Sequence, residues 1–158
     1  MSESTAVKNS AWEEEEIQLL TFHVHDQVLA IPVIHIRDVF LAQKITPVPL
    51  AAGEIRGLIN LRGRIVTAIS MREKLNFPKV GVDEKQMIIA VEHAGEVYGL
   101  LVDKVGDVTS LSEDLYERKP QVLDGKLRDI ARGVFKLEGK LLILLDVDLI
   151  IQTCQDNS

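Results

Sequence analysis

Residues 55–71 carry the sequence IRGLINLRGRIVTAISM. Two apolar runs, 57–61 and 64–69, flank the dipeptide Arg62-Gly63, and this pattern predicts a β-hairpin with a tight turn. Gly63 supports the turn because glycine adopts a positive φ at little steric cost. Arg62 would then project a planar cation from a rigid turn, which is a suitable group for binding carboxylates and backbone carbonyls. A solvated turn residue with no binding role is an equally good interpretation of Arg62 at this point.

The pattern of this hairpin occurs a second time in the chain. Residues 130–147 align with it at an offset of 76 without a gap, and glycines match glycines in the first strand and in the turn. Earlier in each copy, residues 28–33 align with 97–102 at an offset of 69. Offsets that increase along the chain indicate two copies of one structural unit, the second with longer loops. The turn that holds Arg62 in the first copy holds Glu138 in the second, and a purely structural turn residue would not need this reversal of charge.

The composition limits the classes of protein to which the chain can belong. Of its 158 residues, 46% are hydrophobic but only 4% are aromatic, so the core must consist of Val, Ile and Leu, a composition that favours strands. The net charge of −6 argues against a nucleic-acid-binding surface, which requires basic charge. One cysteine, Cys154, excludes an internal disulfide and suits a reducing compartment. Without an apolar run of about 20 residues or a secretory signal, the sequence predicts a soluble cytoplasmic protein that does not insert into membranes.

Turn and strand signals divide the chain into an arm and two similar halves. Residues 1–16 have no periodic apolar face and are predicted to form a flexible N-terminal arm. The rest predicts about ten short strands, a surface loop over 116–129 and a closing helix over 147–153. We therefore expect an all-β fold with few short helices. It would consist of two five-stranded β-barrel subdomains, about 17–80 and 86–152, with the C-terminal helix packed against a barrel.

The sequence contains no pattern that typically supports catalysis or metal binding. His23 and His25 would lie on one face of a strand, but two ligands without a nearby third are weak support for a metal site. Ser70 and Ser110 lack the Gly-x-Ser-x-Gly turn of a hydrolase, and no glycine loop precedes a nucleotide-binding lysine. The sequence therefore predicts a non-enzymatic binding module without a metal or cofactor. A small barrel that binds nucleic acid or a metabolite stays an alternative, although it would need a basic, aromatic surface.

Three segments of the chain each have a distinctive spacing of glycine, polar and apolar residues. They are Ile55-x-Gly57-x-x-Asn60-Leu61-Arg62-Gly63-x-x-Val66, Tyr98-Gly99-x-x-Val102-Asp103-x-Val105 and Gly139-x-Leu141-x-Ile143-Leu144. Together they resemble the signature of CheW-type chemotaxis coupling proteins, and the resemblance covers residues 16–152. It implies two SH3-like barrels and a non-enzymatic adaptor that couples methyl-accepting chemoreceptors to the histidine kinase CheA. An adaptor for another receptor–kinase system is the alternative within the same class.

The resemblance also implies which residues contact each partner. The receptor-binding surface, which would meet the cytoplasmic tip of the chemoreceptor, would comprise Ile36, Asp38, Asn60, Arg62, Met87 and Val108. The kinase-binding surface, for the regulatory domain of CheA, would comprise Val39, Phe40, Ile45 and Val122. We expect Phe40 and Ile45 to form an exposed apolar patch, separate from the receptor-binding surface of the same barrel. The protein would be cytoplasmic and recruited to membrane-associated receptor arrays.

Overall fold

The computed structural model describes residues 16–42, 45–49, 55–78, 85–118, 123, 125–137 and 139–156. Within these residues the chain forms eleven strands and three α-helices. The strands are β1 (Glu16–Val24), β2 (Gln27–Pro32), β3 (Ile36–Leu41), β4 (Ile55–Leu61), β5 (Arg64–Ser70), β6 (Met87–His93), β7 (Glu96–Val102), β8 (Lys104–Ser112), β9 (Tyr116–Arg118), β10 (Ala131–Leu137) and β11 (Lys140–Leu145). The helices are α1 (Met71–Lys74), α2 (Gly125–Ile130) and α3 (Val147–Asp156), and 3₁₀ turns occupy Val33–His35 and Glu113–Leu115.

The strands form two sheets, which we call sheet A and sheet B. Sheet A has six strands in the order β8-β1-β2-β11-β10-β9, and sheet B has five in the order β3-β6-β7-β5-β4. Neighbouring strands are antiparallel, except that β11 runs parallel to β2 and β5 runs parallel to β7. The predicted all-β fold with short helices and a C-terminal helix is confirmed.

The two sheets have the same internal register, as the sequence repeat predicts. In sheet B, Thr67 of β5 pairs with Tyr98 of β7, and in sheet A the equivalent pair is Ile143 of β11 and Leu29 of β2. These residues are related by the offsets of 76 and 69 found in the sequence. An irregularity next to the glycine of β4 also recurs next to the glycine of β10. The five strands of sheet B therefore have counterparts in sheet A. In order, β3, β6, β7, β5 and β4 correspond to β8, β1, β2, β11 and β10.

Each sheet combines strands from both copies of the repeat. Sheet B is continuous in sequence from β3 to β7, whereas sheet A contains β1, β2 and β8 to β11. The first hairpin of the first copy, β1–β2, therefore lies in sheet A with β10–β11, the second hairpin of the second copy. In the same way, the first hairpin of the second copy, β6–β7, lies in sheet B with β4–β5. Strands on both sides of residues 80–86 pair within sheet B. The division of the chain into subdomains 17–80 and 86–152 stays a prediction.

The structure corrects the expectation of a surface loop over residues 116–129. This segment contains the strand β9 and the helix α2. Strand β9 pairs with β10 opposite Gly133, where a Cβ atom would lie 2.5 Å from the carbonyl oxygen of Glu117. The lack of a side chain at Gly133 therefore allows the two strands to approach each other.

The ends of the chain differ from the predicted boundaries by a few residues. Strand β1 begins at Glu16, which the sequence-based boundary places in the N-terminal arm, and the rest of the predicted arm lies outside the described residues. Helix α3 continues beyond the predicted end at residue 153 to Asp156. Helix ends are the part of an element that a sequence pattern defines least, because terminal turns lack partners on one side.

The hydrophobic core lies mainly between the two sheets. Its largest cluster takes buried residues from both, among them Phe22 in β1, Leu100 in β7 and Ile150 in α3. Two smaller clusters belong to one sheet each, one with Ile59 in sheet B and the other with Phe135 in sheet A. Because successive side chains of a strand point to opposite faces, the central strands bury residues on both sides.

Candidate partner-binding site

The turn between β4 and β5 is held in one conformation by its backbone and by a neighbouring side chain. Arg62 has φ of +53° and Gly63 has φ of +83°, the combination required by the commonest two-residue hairpin turn. The Gly63 amide also donates a hydrogen bond of 2.8 Å to Oδ1 of Asn60. The predicted tight turn is confirmed, and Asn60 acts on the turn itself.

The side chain of Arg62 is positioned by two groups on the edge strand β3. Its Nη1 lies 2.8 Å from a carboxylate oxygen of Asp38, and its guanidinium carbon lies 5.2 Å from the centroid of the Phe40 ring. The other carboxylate oxygen of Asp38 accepts a hydrogen bond of 2.8 Å from the amide of Val39. The Arg62 side chain is 75% exposed, so the ion pair and the cation–π contact contribute little to stability. Their effect is to hold an exposed cation in a fixed place.

Arg62 stands at the rim of an open depression, the first cleft, with a volume of about 320 Å³. The first cleft is lined by Arg37, Asp38, Phe40, Leu61, Arg62, Arg64, Val66, Ala90 and Val97. Three arginines and one aspartate give it an excess of positive charge, although Arg37 also contacts the carboxylate of Glu92. Buried Leu61, Val66 and Ala90 supply an apolar floor. A basic rim around an apolar floor suits a partner that presents acidic and apolar side chains together.

A second depression, the second cleft, lies at the equivalent place in sheet A and has a volume of about 460 Å³. The second cleft is lined by Thr21, His23, Val28, Asp107, Val108, Thr109, Leu111, Leu137, Lys140, Leu141 and Leu142. Under the sequence repeat, Asp107 corresponds to Asp38 and Lys140 to Arg64, but the aromatic residue of the first cleft is replaced by Thr109. The two clefts therefore share their position in the repeat and differ in chemistry, because the second is less basic and more apolar.

The predicted receptor-binding residues lie in three places. Asp38 and Arg62 meet at the first cleft, and Asn60 bonds the turn beside it. Ile36 is half-buried at the start of β3, and Met87 is half-buried and packs against the core between the sheets. Val108 lies on β8 in sheet A, where it lines the second cleft and is 58% exposed. The first cleft therefore brings together only part of the predicted set.

Among the predicted kinase-binding residues that the structure describes, Phe40 lines the first cleft. Phe40 lies beneath the guanidinium of Arg62, so the expectation of two separate surfaces on this half of the molecule is wrong. Phe40 and Ile45 are half-buried against a core cluster of sheet B, and Val39 packs against the core between the sheets. The expected exposed patch is therefore also wrong, because these side chains contribute to the packing of the edge strand. Val122 lies outside the described residues.

Two arginines of the first cleft were not predicted from the sequence. Arg37 and Arg64 both line it. A signal for Arg64 was present in the sequence, because it follows the turn directly. Arg37 gave no such signal, since its approach to the hairpin depends on the order of strands in sheet B.

The structure also bears on the predicted absence of a metal site. His25 lies in the turn between β1 and β2, with φ of +57°, so the expectation that it shares a strand face with His23 is wrong. Across the described part of the chain, no three His, Cys, Asp or Glu residues form a group that could hold a metal ion.

None of the helices that the structure describes is long and apolar enough to cross a membrane.

Comparison with known proteins identifies the family. The family model of the CheW-like domain matches residues 18–155. Chemotaxis protein CheW from Thermotoga maritima is 33% identical over 140 residues, which cover 87% of this chain and 89% of that protein. Chemotaxis protein CheW from Rhizobium meliloti is 29% identical over 131 residues, with coverage of 83% and 84%. The crystal structure of scaffolding protein TtCheW from Thermoanaerobacter tengcongensis matches with a TM-score of 0.76 and 26% identity, over 85% of this chain and 91% of that one. The chain therefore belongs to the CheW-like family.

Proposed function

We propose that this chain couples methyl-accepting chemoreceptors to the histidine kinase CheA at membrane-associated arrays, and that the receptor docks at the first cleft. Membership of the CheW-like family makes the chain a non-enzymatic chemotaxis scaffold, which supports the proposal. The observation that carries the choice of site is the fixed position of Arg62. It is held by Asp38 and Phe40 at the rim of an open cleft.

The proposed receptor contact is a helix laid across the first cleft. A helix presents side chains three and four residues apart on one face, so acidic and apolar residues on that face reach different parts of the cleft. Acidic groups would meet Arg62 and Arg64, and apolar groups would contact the floor of Leu61, Val66 and Ala90. Arg62 would specify the register of the helix, because its position is set before the partner arrives.

The proposed kinase contact uses the neighbouring part of the same half, with Val39, Phe40 and Ile45, and the segment around Val122 in the other half. Half-buried apolar side chains at the edge of a sheet are suitable anchors, since a partner needs to cover only their remaining exposed surface. Because Phe40 also supports Arg62, the two partners would bind next to each other at the first cleft.

The test of the receptor site is the substitution Arg62→Ala, with titration of a purified receptor tip and of the CheA regulatory domain. We expect the affinity for the receptor tip to fall at least tenfold, about 1.4 kcal/mol, because the group that fixes the helix register is lost. We expect the melting temperature to stay close to that of the wild type, because an exposed ion pair contributes only about 0–1 kcal/mol. The affinity for the kinase domain should fall by less than the affinity for the receptor tip.

Lys136→Ala is the matched control for this experiment. Lys136 is also an exposed cation, 62% exposed, next to a hairpin turn, and it pairs with Glu117 inside sheet A. The substitution Lys136→Ala should leave the affinities for the receptor tip and for the kinase domain unchanged. Equal losses of affinity for the receptor tip and the kinase domain in Arg62→Ala would indicate a disturbed fold. An unchanged affinity for the receptor tip would show that Arg62 is a solvated turn residue.

A further inference from the structure

The chain passes between the two sheets at two of its described connections. The first is the 3₁₀ turn Val33–His35, which links β2 of sheet A to β3 of sheet B. The second is the single residue Asp103, which links β7 of sheet B to β8 of sheet A. A one-residue connection leaves few ways to absorb a change in the angle between the sheets, so the bonds made by this residue determine how freely that angle varies.

Asp103 is bonded to groups from both sides of the crossover. Its backbone amide donates to the carbonyl oxygen of His23 at 2.9 Å, and its carboxylate accepts from the backbone amide of His25 at 2.7 Å. These two residues belong to the β1–β2 hairpin of sheet A. From the other side, Arg72 of helix α1, which follows β5 of sheet B, donates from Nε at 2.9 Å and from Nη2 at 2.7 Å. The carboxylate of Asp103 thus joins the β1–β2 hairpin of sheet A to helix α1, which follows the strand β5 of sheet B.

Further contacts fix Arg72 in this position. Its Nη1 donates a hydrogen bond of 2.9 Å to the carbonyl oxygen of Pro78, and its carbonyl oxygen accepts from the amide of Phe77 at 2.6 Å. The ring of Phe77 in turn lies 5.0 Å from the ring of His25 in the sheet A hairpin. The side chains of Arg72 and Asp103 are only 14% and 17% exposed, so the pair is shielded from solvent. A forked, shielded pair of this kind restricts orientation more than an exposed ion pair does.

We propose that Arg72 and Asp103 are positioning residues that fix the orientation of sheet A relative to sheet B, so that the two clefts keep a constant spacing and angle. The clefts lie in different sheets, one on each side of the crossover. The proposed kinase contact spans both halves and requires this constancy, because its two parts otherwise have no defined spacing. In this respect the inference rests on the proposed function.

The first experiment measures the orientation alone, without any partner. Nitroxide labels at Arg64→Cys in sheet B and Lys140→Cys in sheet A report the distance between the clefts by pulsed electron paramagnetic resonance. Cys154 is buried and reacts poorly under native conditions, so labelling favours the introduced cysteines. In the doubly labelled protein with Asp103 intact, we expect a narrow distance distribution. After Asp103→Asn, we expect the distribution to become about twofold wider or to shift. An unchanged distribution in folded Asp103→Asn would overturn the proposal.

Two further variants separate orientation from folding. Arg72→Lys keeps the charge but loses the forked geometry, and we expect an intermediate broadening. Lys136→Ala removes an ion pair between neighbouring strands of one sheet, and it should leave the distribution unchanged. If neither Asp103→Asn nor Arg72→Lys folded, the pair would be a requirement for folding, and its assignment as an orienting device would be wrong.

The second experiment measures assembly with the receptor tip and the CheA regulatory domain as probes. Asp103→Asn should bind the receptor tip with unchanged affinity, because the residue lies outside the first cleft. The affinity for the CheA regulatory domain should fall about fivefold, because its proposed contact spans both halves and depends on their relative orientation. Equal affinity of wild type and variant for the CheA regulatory domain would count against the proposal. If the wild type bound neither probe, the proposed function would fail, while the distance measurement would still decide the inference.

Discussion

At the scale of single residues, two glycines of the β4–β5 hairpin are needed for different physical reasons. At Gly57 a Cβ atom would lie 2.1 Å from the carbonyl oxygen of Thr46, and φ is +144°. At Gly63 a Cβ atom would meet nothing within 4 Å, and only the φ of +83° disfavours a side chain. We expect Gly57→Ala to lower the free energy of unfolding by roughly 2–4 kcal/mol and Gly63→Ala by about 1–2 kcal/mol. Urea denaturation of both variants measures these values, and equal losses would contradict the steric explanation of Gly57.

Residue roles could be predicted from the sequence where their cause is local. The positive φ of Gly63 follows from two apolar runs separated by two residues, and the structure has that turn. The pairing of Arg62 with Asp38 has no local cause, because only the approach of β3 to the hairpin brings the two side chains together. For the same reason the half-burial of Phe40 could not be predicted from the prolines that surround its segment.

At the scale of elements, both copies of the repeat end in a helix that begins with a capping side chain. Oδ1 of Asp146 accepts a hydrogen bond of 3.1 Å from the amide of Leu149 in α3, and Oγ of Ser70 accepts one of 3.2 Å from the amide of Glu73 in α1. Asp146→Ala should lower the free energy of unfolding by about 1 kcal/mol, because it leaves an amide of the first turn without its partner. Faster hydrogen exchange of the Leu149 amide is the result that we expect to measure.

Ser70→Ala is the matched variant, since the offset of 76 relates the two caps. It should accelerate exchange at Glu73 in α1 and leave the first turn of α3 unchanged, whereas Asp146→Ala should do the reverse. Exchange that rose in both helices for either variant would show that the substitution loosens the whole fold. Unchanged exchange at Leu149 in Asp146→Ala would mean that the cap does not hold the turn.

Elements with strong local signals were predictable, and short ones were not. The hairpin strands and the capped helix α3 have alternating or periodic apolar residues together with turn or cap residues, and all are present in the structure. Strand β9 spans only Tyr116–Arg118, which is too short for a periodic pattern to be recognised. It exists because β10 offers a partner edge next to Gly133, and such a tertiary cause leaves no trace in the segment itself.

At the scale of the whole molecule, the sequence repeat predicts two equivalent units but not how they combine. The offsets give the correspondence of strands, and the equal register of the two sheets agrees with it. They do not determine whether the first hairpin of a copy joins its own second hairpin or that of the other copy. Both arrangements bury the same apolar faces locally, so the choice depends on long-range contacts such as the core between the sheets and the bonds of Asp103.

The bonds that join the sheets also make stability depend on pH in a defined direction. Burial acts to raise the pKa of Asp103, but hydrogen bonds from Arg72 and His25 and the charge of Arg72 outweigh it. The pKa of the carboxyl group in the folded protein is therefore lowered from its ordinary value of 3.8. As the pH falls, the unfolded chain takes up this proton before the folded protein does. The stabilisation is thus fully present above the unfolded-state pKa and is lost as the pH falls through the folded-state pKa.

The comparison of wild type with Asp103→Asn tests this dependence. At neutral pH we expect the variant to be less stable by roughly 2–4 kcal/mol, because the shielded guanidinium of Arg72 loses the negative charge of the Asp103 carboxylate. As the pH falls below about 5, the free energy of unfolding should decrease more steeply for the wild type than for the variant, so the difference in stability between them narrows in acid. Urea denaturation at a series of pH values measures both curves. The other carboxylates titrate in both proteins, so two parallel curves would show that the Asp103 carboxylate is not stabilised in the folded state.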